Sequence, residues 1–363
     1  MGNVDVAVTG SGSLATEFVH ALAVAANVPL TVAVLGRDPL RLLSLVRSAA
    51  ASSGALARRV TITPVLVDWS NQNELDRNMA KLRPKILVHT ASLQSPWALA
   101  ASNRWSALVK SAGYGITLPL QTVLALKIGR AINQESPTTK FVNACYPDAV
   151  NRVLQSHKVN VVCGIGNVAI LALLLRAELA GGDDRRLRVI GHHAHVEAAI
   201  QGQKLAQAPL RAWIDTEPIH AKADRWLETA HLPANLNRIA SATAVPMTFA
   251  LLGRESPWHG HAAGPWALPG GYPVIVDSDH VRLDLPEGVT LTDATALNQA
   301  GAIADGVVVN DNGEVELTER SAQALERCAG NSGYVSSWHA IDVERQASRL
   351  LTLRESEISK RDR

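Results

Sequence analysis

The segment Val4–Ala15, VDVAVTGSGSLA, constrains this chain more than any other: a short apolar run turns at Gly10-Ser11-Gly12 and enters a helical pattern. So tight a reversal between buried elements needs small residues. Gly10 permits the turn, Gly12 lets a large anion approach the backbone, and Ala15 lets helix and strand lie close together. The helix that follows points unpaired N–H groups and its positive end back at the turn. That makes Gly10, Gly12, Ser13, Leu14 and Ala15 candidate contacts for the pyrophosphate of a dinucleotide, the alternative being a tight structural turn.

The chain has 363 residues, 47% of them apolar, and a formal net charge of +2, which is enough material for two domains sharing an interface. We place their boundary near residue 155: 1–155 as a dinucleotide-binding unit and 156–363 as a substrate unit. Basic residues are dispersed apart from Arg185-Arg186 with Arg188 and the tail Lys360-Arg361-Asp362-Arg363, so no nucleic-acid partner is expected. Apolar windows such as Val161–Leu175 contain Gly, Asn and Cys and fall short of the ~20 residues that cross a bilayer. No basic stretch leads into an apolar leader, and the cysteines are only Cys145, Cys163 and Cys328, so a reducing, cytoplasmic setting without a disulfide framework is expected.

Further along, strand and helix alternate. A strand over Asp5–Thr9 and a helix over Leu14–Ala26 precede a second apolar run, Pro29–Leu35, of the kind buried on both faces of a parallel sheet. It ends in Gly36-Arg37-Asp38. An acidic residue there accepts hydrogen bonds from a ribose 2′-OH, whereas a small residue followed by Arg accommodates a 2′-phosphate. Gly36 and Arg37 therefore favour NADP(H), with NAD as the alternative if Arg37 merely closes a loop and Asp38 takes the acidic role. Strands over Val60–Val67, Lys85–His89 and Lys140–Asn143 continue the pattern, with helices around Glu74–Leu82 and Leu118–Asn133. The expected fold is α/β: a doubly wound parallel (Rossmann) sheet, then a second α+β domain with antiparallel strands.

The order of motifs resembles the lactate/malate dehydrogenase superfamily over Val4 to Thr292. The matching segments are the glycine turn, His89-Thr90-Ala91-Ser92, Asn143-Ala-Cys-Tyr-Pro147-Asp148, Cys163-Gly164-Ile165-Gly166-Asn167 and Val189-Ile190-Gly191-His192-His193. Behind them, Gly271–Asp277 and His280–Leu285 look like that family's paired C-terminal strands. The resemblance implies a dimeric or tetrameric dehydrogenase acting on a small molecule. Thr90 and Ala91 would lie against the cofactor, Asn143 would orient substrate near the nicotinamide, His193 would exchange the proton that accompanies hydride transfer, and Arg104 would match a mobile-loop arginine. For His193 the alternative is a structural histidine in a polar turn. If its segment is extended, His193 and His195 share one face and His192 takes the other.

Two departures bear on the chemistry. The family's helix after Gly-x-Gly carries an Asp that orients the catalytic His and an Arg that clamps a substrate carboxylate; aligned from Gly164, those places are Ile170 and Leu173. With both polar groups gone, the expected substrate is a carbonyl or imine compound (alcohol or amine in reverse) other than a simple 2-hydroxy acid. Two other readings stay open. One is a nicotinamide- and metal-dependent glycosidase using Cys163 with His193 or His195, although Gly164 stands where that family has a His. The other is a nucleotide-binding protein without catalysis. The stretch Trp258–Tyr272, rich in Gly, His and Trp, reads either as a pocket wall or as a glycine-rich bend.

Overall fold

A computed structural model describes residues 4–95, 99, 103–179, 185–233, 235–255, 257–329 and 336–359. Trp97 and the basic tail 360–363 lie outside them. Six strands run parallel: β1 (Val6–Thr9), β2 (Leu30–Gly36), β3 (Val60–Leu66), β4 (Ile86–His89), β5 (Lys140–Asn143) and β6 (Cys163–Gly164). Their spatial order, 3-2-1-4-5-6, reverses direction between β1 and β4. Ligands of open α/β sheets sit at such a switch point, outside the carboxyl ends of the strands.

Helices cover both faces. α1 (Ser13–Ala25) and α2 (Pro39–Ala55) join one core, while α3 (Gln72–Leu82), α4 (Arg104–Ala112), α5 (Leu118–Glu135) and α6 (Pro147–Ser156) join the other. The strand side chains explain this division. Val6 and Val8 face one core and Ala7 faces the other, as period-two alternation requires, and all three are fully buried.

The remaining elements are α7 (Val168–Leu179), β7 (Leu187–Ile190), α8 (His193–Gln201), β8 (Arg211–Ile214), β9 (Glu217–Pro218), α9 (His220–Ala230), α10 (Asn237–Leu251), β10 (Trp258–Ala263), β11 (Gly271–Val276), β12 (Val281–Leu283), α11 (Leu291–Asp305), β13 (Val307–Val309), β14 (Glu314–Leu317), α12 (Glu319–Ala329), β15 (Ser337–His339) and α13 (Val343–Ser359). Antiparallel strands are present, as expected, but they do not begin a separate sheet at residue 155. β10, β11 and β12 pair antiparallel beyond β6 and extend the large sheet to nine strands. Two three-stranded antiparallel sheets, β7-β8-β9 and β13-β14-β15, stand apart from it. The second packs into the same core as α4 and α5: Val309, Val315 and Trp338 join Leu108 and Leu124 there.

The Trp258–Tyr272 stretch is the antiparallel pair β10–β11 and its bend. A Cβ on Gly271 would lie 2.3 Å from a Val168 methyl, and one on Gly264 (φ +51°) would lie 2.6 Å from the Pro147 carbonyl oxygen. His261 is bound internally, accepting the Val189 N–H at 2.9 Å, and burial takes its pKa down to about 3. Of the two readings, the glycine-rich bend is the one these contacts describe.

Candidate functional site

At the first end of the site, Gly10 adopts φ +115° and packs so closely that an added Cβ would stand 2.6 Å from Thr90 Oγ1. Thr90 holds the crossing by donating its hydroxyl to Thr9 O at 2.7 Å. Gly12 is the opposite case: it is exposed, and nothing lies within 4 Å of a Cβ placed there. The N-terminus of α1 has no side-chain cap and no acidic residue in its first turn. Its N–H groups and positive dipole end are therefore uncompensated by the chain's own side chains. This open cradle fits a pyrophosphate. Ser13 sits beside it, accepting a hydrogen bond from Asn237 Nδ2 at 2.9 Å.

At the end of β2, Asp38 caps α2, its carboxylate accepting from Leu40 N and Arg41 N at 3.0 and 3.1 Å. Asp38 is thereby committed locally. Arg37 is exposed, and its side chain makes no hydrogen bond or ion pair among the described residues. A Cβ on Gly36 would come within 3.2 Å of Ser11 Oγ, so the turn and the end of β2 lie close together.

The second end of the site lies where α8, α11, the 3-10 turn Tyr114–Thr117 and the loop between β5 and α6 converge. His193 is the first residue of α8 rather than part of an extended strand, which corrects the face assignment for the three histidines. β7 stops at Ile190, and His192 closes the helix by accepting Ala194 N–H on Nδ1. His195 Nδ1 accepts His192 N–H at 2.9 Å and its Nε2 donates to Ala208 O at 2.7 Å, which fixes the tautomer and occupies both nitrogens. Burial lowers the His195 pKa to about 4. It is structural.

His193 differs. Its Nδ1 lies 3.0 Å and 3.2 Å from the two carboxylate oxygens of Asp305, the last residue of α11. Tyr146 Oη donates to the same carboxylate at 2.6 Å. Tyr114 stacks on the imidazole at 4.5 Å between ring centres. Burial pulls the His193 pKa down, but the Asp305 charge and hydrogen bond, with smaller contributions from Glu197 and Asp148, outweigh it and raise it to about 9. Burial penalises the Asp305 carboxylate, yet the His193 charge holds its pKa below the usual value. The side chain of His193 is 13% exposed, and Glu197 Oε1 stands 3.9 Å from Nε2. An imidazole anchored through Nδ1 with a free Nε2 edge is the arrangement of an acid/base catalyst.

The departure at Ile170 leaves His193 without a carboxylate partner on α7, and a different element supplies one. Ile170 does occupy the aligned position and is buried, but α11 supplies the carboxylate instead. Glycines make this possible. A Cβ on Gly113 (φ +98°) would lie 2.4 Å from Asp305 O, one on Gly115 2.8 Å from the same oxygen, and one on Gly306 (φ +99°) 2.6 Å from Ala112 O. The backbones of the 3-10 turn and the end of α11 touch because no Cβ separates them. Asp148 joins the remaining pieces: one oxygen accepts His193 N–H at 3.0 Å and the other accepts Asn167 Nδ2.

Other candidates fall elsewhere. Asn143 is fully buried, donating both Nδ2 hydrogens to Cys145 O and Asn151 Oδ1 and accepting from Cys145 N, so its amide shapes the β5–α6 loop. Arg104 is bound through Nε to Glu357 Oε2 at 3.0 Å, a fully buried carboxylate on α13, and is not poised as a substrate arginine. Ala91 O accepts from Cys145 Sγ. Cys163 is buried beside Met247 Sδ at 3.7 Å, and burial raises its pKa to about 12. Cys163, His193 and His195 do not converge; among the described residues the one cluster of three such ligating groups is Asp277, Asp279 and His280 on the exposed β11–β12 turn. Asp305, Tyr114 and Glu197 were not singled out from the sequence, and Tyr146 and Asp148 were quoted only as part of the segment after β5.

No protein-family model matches the sequence, and no curated protein matches it. Solved structures do. The chain is similar to the apo malate dehydrogenase of Picrophilus torridus, with a TM-score of 0.58 and 13% identity, covering 84% of this chain and 98% of that one. For the Plasmodium falciparum malate dehydrogenase the values are 0.55 and 12%, covering 89% and 99%. For the Eimeria maxima lactate dehydrogenase, solved with NADH and oxamate, they are 0.53 and 13%, covering 83% and 93%. The fold is therefore of the lactate/malate dehydrogenase type.

Proposed function

We propose that this protein is an oxidoreductase that uses a nicotinamide dinucleotide, NADP(H) in preference to NAD(H), on a carbonyl or imine compound and the corresponding alcohol or amine. The observation that carries the reading is the Asp305–His193 pair, set beyond the carboxyl end of β5 in the same fold as an uncapped α1 N-terminus. When bound, the dinucleotide supplies or accepts hydride at the substrate carbon. The protein does the rest. The turn Gly10–Ala15 holds the pyrophosphate. Arg37, with no partner of its own among the described residues, pairs with a 2′-phosphate, while Asp38 is committed to capping α2.

His193 carries the proton. With its pKa raised to about 9 it is an imidazolium at neutral pH, and Nε2–H donates to the substrate oxygen or nitrogen as hydride arrives. In the reverse direction the neutral imidazole takes that proton. Asp305 holds Nδ1, so that Nε2 is the edge presented to substrate.

The test is deuteride transfer from 4-deuterated NADPH to a panel of aldehydes, ketones and cyclic imines. Enzyme-dependent label in a product is expected, falling at least ~100-fold in His193→Gln, the size of a lost general acid. Absence of saturable binding by both NADPH and NADH overturns the reading.

A further inference from the structure

Resting on that reading, we infer that the substrate-binding end of this site accepts a compound that carries a cationic ammonium group beside the reacting carbonyl or neutral imine, with Glu197 as the residue that selects the charge. The elements around His193 are α8, α11, the 3-10 turn Tyr114–Thr117 and the loop Ala144–Pro147. Their sequences, HAHVEAAIQ, LTDATALNQAGAIAD, YGIT and ACYP, contain no Lys or Arg. Nor does Ala91–Ser95, and Arg104 is taken by Glu357. Arg152 on α6 is turned away to Val309 O at 2.7 Å and Asp311. These elements bring no Lys or Arg to clamp a substrate carboxylate, and the cation they do carry, the His193 imidazolium, is already paired with Asp305.

Carboxylates are in place. Asp148 and Asp305 are 1% and 4% exposed, and both bind His193, through its backbone N–H and its ring respectively. Glu197 stands at the solvent side of the imidazole with its side chain 45% exposed. Three carboxylates therefore face one imidazolium. Asp148 is satisfied by an amide and a backbone N–H, Asp305 by His193 and Tyr146, and Glu197 has only the distant contact to Nε2. Glu197 is thus the acidic group left to pair with an incoming charge. Tyr114, stacked on the imidazole, adds an aromatic wall of the kind that favours cations. An incoming carboxylate meets three carboxylates against the single His193 imidazolium, already held by Asp305, and no guanidinium to offset its desolvation.

Titration calorimetry with two probes of matched shape, cyclohexylammonium and cyclohexanecarboxylate, tests the inference on the NADP⁺-saturated protein and again on the protein alone. The cation is expected to bind at least ~10-fold more tightly, because each charge reversal at this separation is worth more than one decade. In Glu197→Gln that preference should shrink ~10-fold, with restoration in Glu197→Asp; the half-exposed side chain makes both variants compatible with the fold. Equal or tighter binding of the carboxylate, binding of neither probe, or an unchanged ratio in Glu197→Gln overturns the inference. Failure of both NADP⁺ and NAD⁺ to bind refutes the oxidoreductase reading instead, and the charge preference is then read from the protein alone.

Discussion

The two ends of the site are built in different ways. At the end proposed for the dinucleotide, the groups on offer are backbone N–H groups at one turn, and the side chains matter by being absent: Gly10 where Thr90 crosses, Gly12 where nothing does. At the end around His193, proposed for proton transfer, the groups are side chains from positions as distant as Tyr114 and Asp305, brought together by packing of separate elements. A site made from one local turn is held by local geometry. One made from four segments is held by the whole core.

The difference predicts how each end fails. Gly10→Val should be the most damaging change, eliminating measurable dinucleotide binding and lowering stability by ~3 kcal/mol or more, because the new side chain meets Thr90 at a φ closed to β-branched residues. Gly12→Ala, at an open position with φ −85°, should leave the melting temperature unchanged while weakening the dinucleotide; paired binding and melting curves check both.

Next in size is Asp305→Asn. It should slow turnover ~100-fold with little change in dinucleotide affinity, read from the pH profile of the reductive reaction. In the wild type that rate should fall as pH rises through about 9, when His193 loses its proton. The same pair links stability to pH. The folded pKa of His193 lies above its unfolded value near 6.5, so the stabilisation is complete below about 6.5 and disappears as pH rises through 9. Asp305→Asn should remove that loss from thermal melts taken across the window.

The smallest effect belongs to Arg37→Ala: NADPH affinity down ~10-fold, NADH affinity unchanged, as for one exposed phosphate contact. Equal losses for both dinucleotides would end the 2′-phosphate argument.

Sequence reading went furthest where short-range chemistry decides. The glycine turn, the five strands leading to Asn143 and the doubly wound order follow from apolar runs and turn residues. His193 was found through the resemblance, but its partner was sought at Ile170 because the family places it there. Asp305 stands 112 positions further on in LTDATALNQAGAIAD, with no spacing that links it to a histidine. The signal lay in Gly113, Gly115 and Gly306, whose missing side chains permit the crossing. No pattern reveals which backbone each glycine meets. Asn143 and Arg104 teach the converse: a residue type suited to a site can be consumed by structure, here the β5–α6 loop and a buried glutamate.

The relocated acid is the centre of this account, and a titration of the His193 ring by NMR in wild type and Asp305→Asn tests it without a substrate. The pair predicts an imidazole that titrates near 9 and drops by about two pH units in the variant. A ring titrating near 6.5 in both proteins would contradict it.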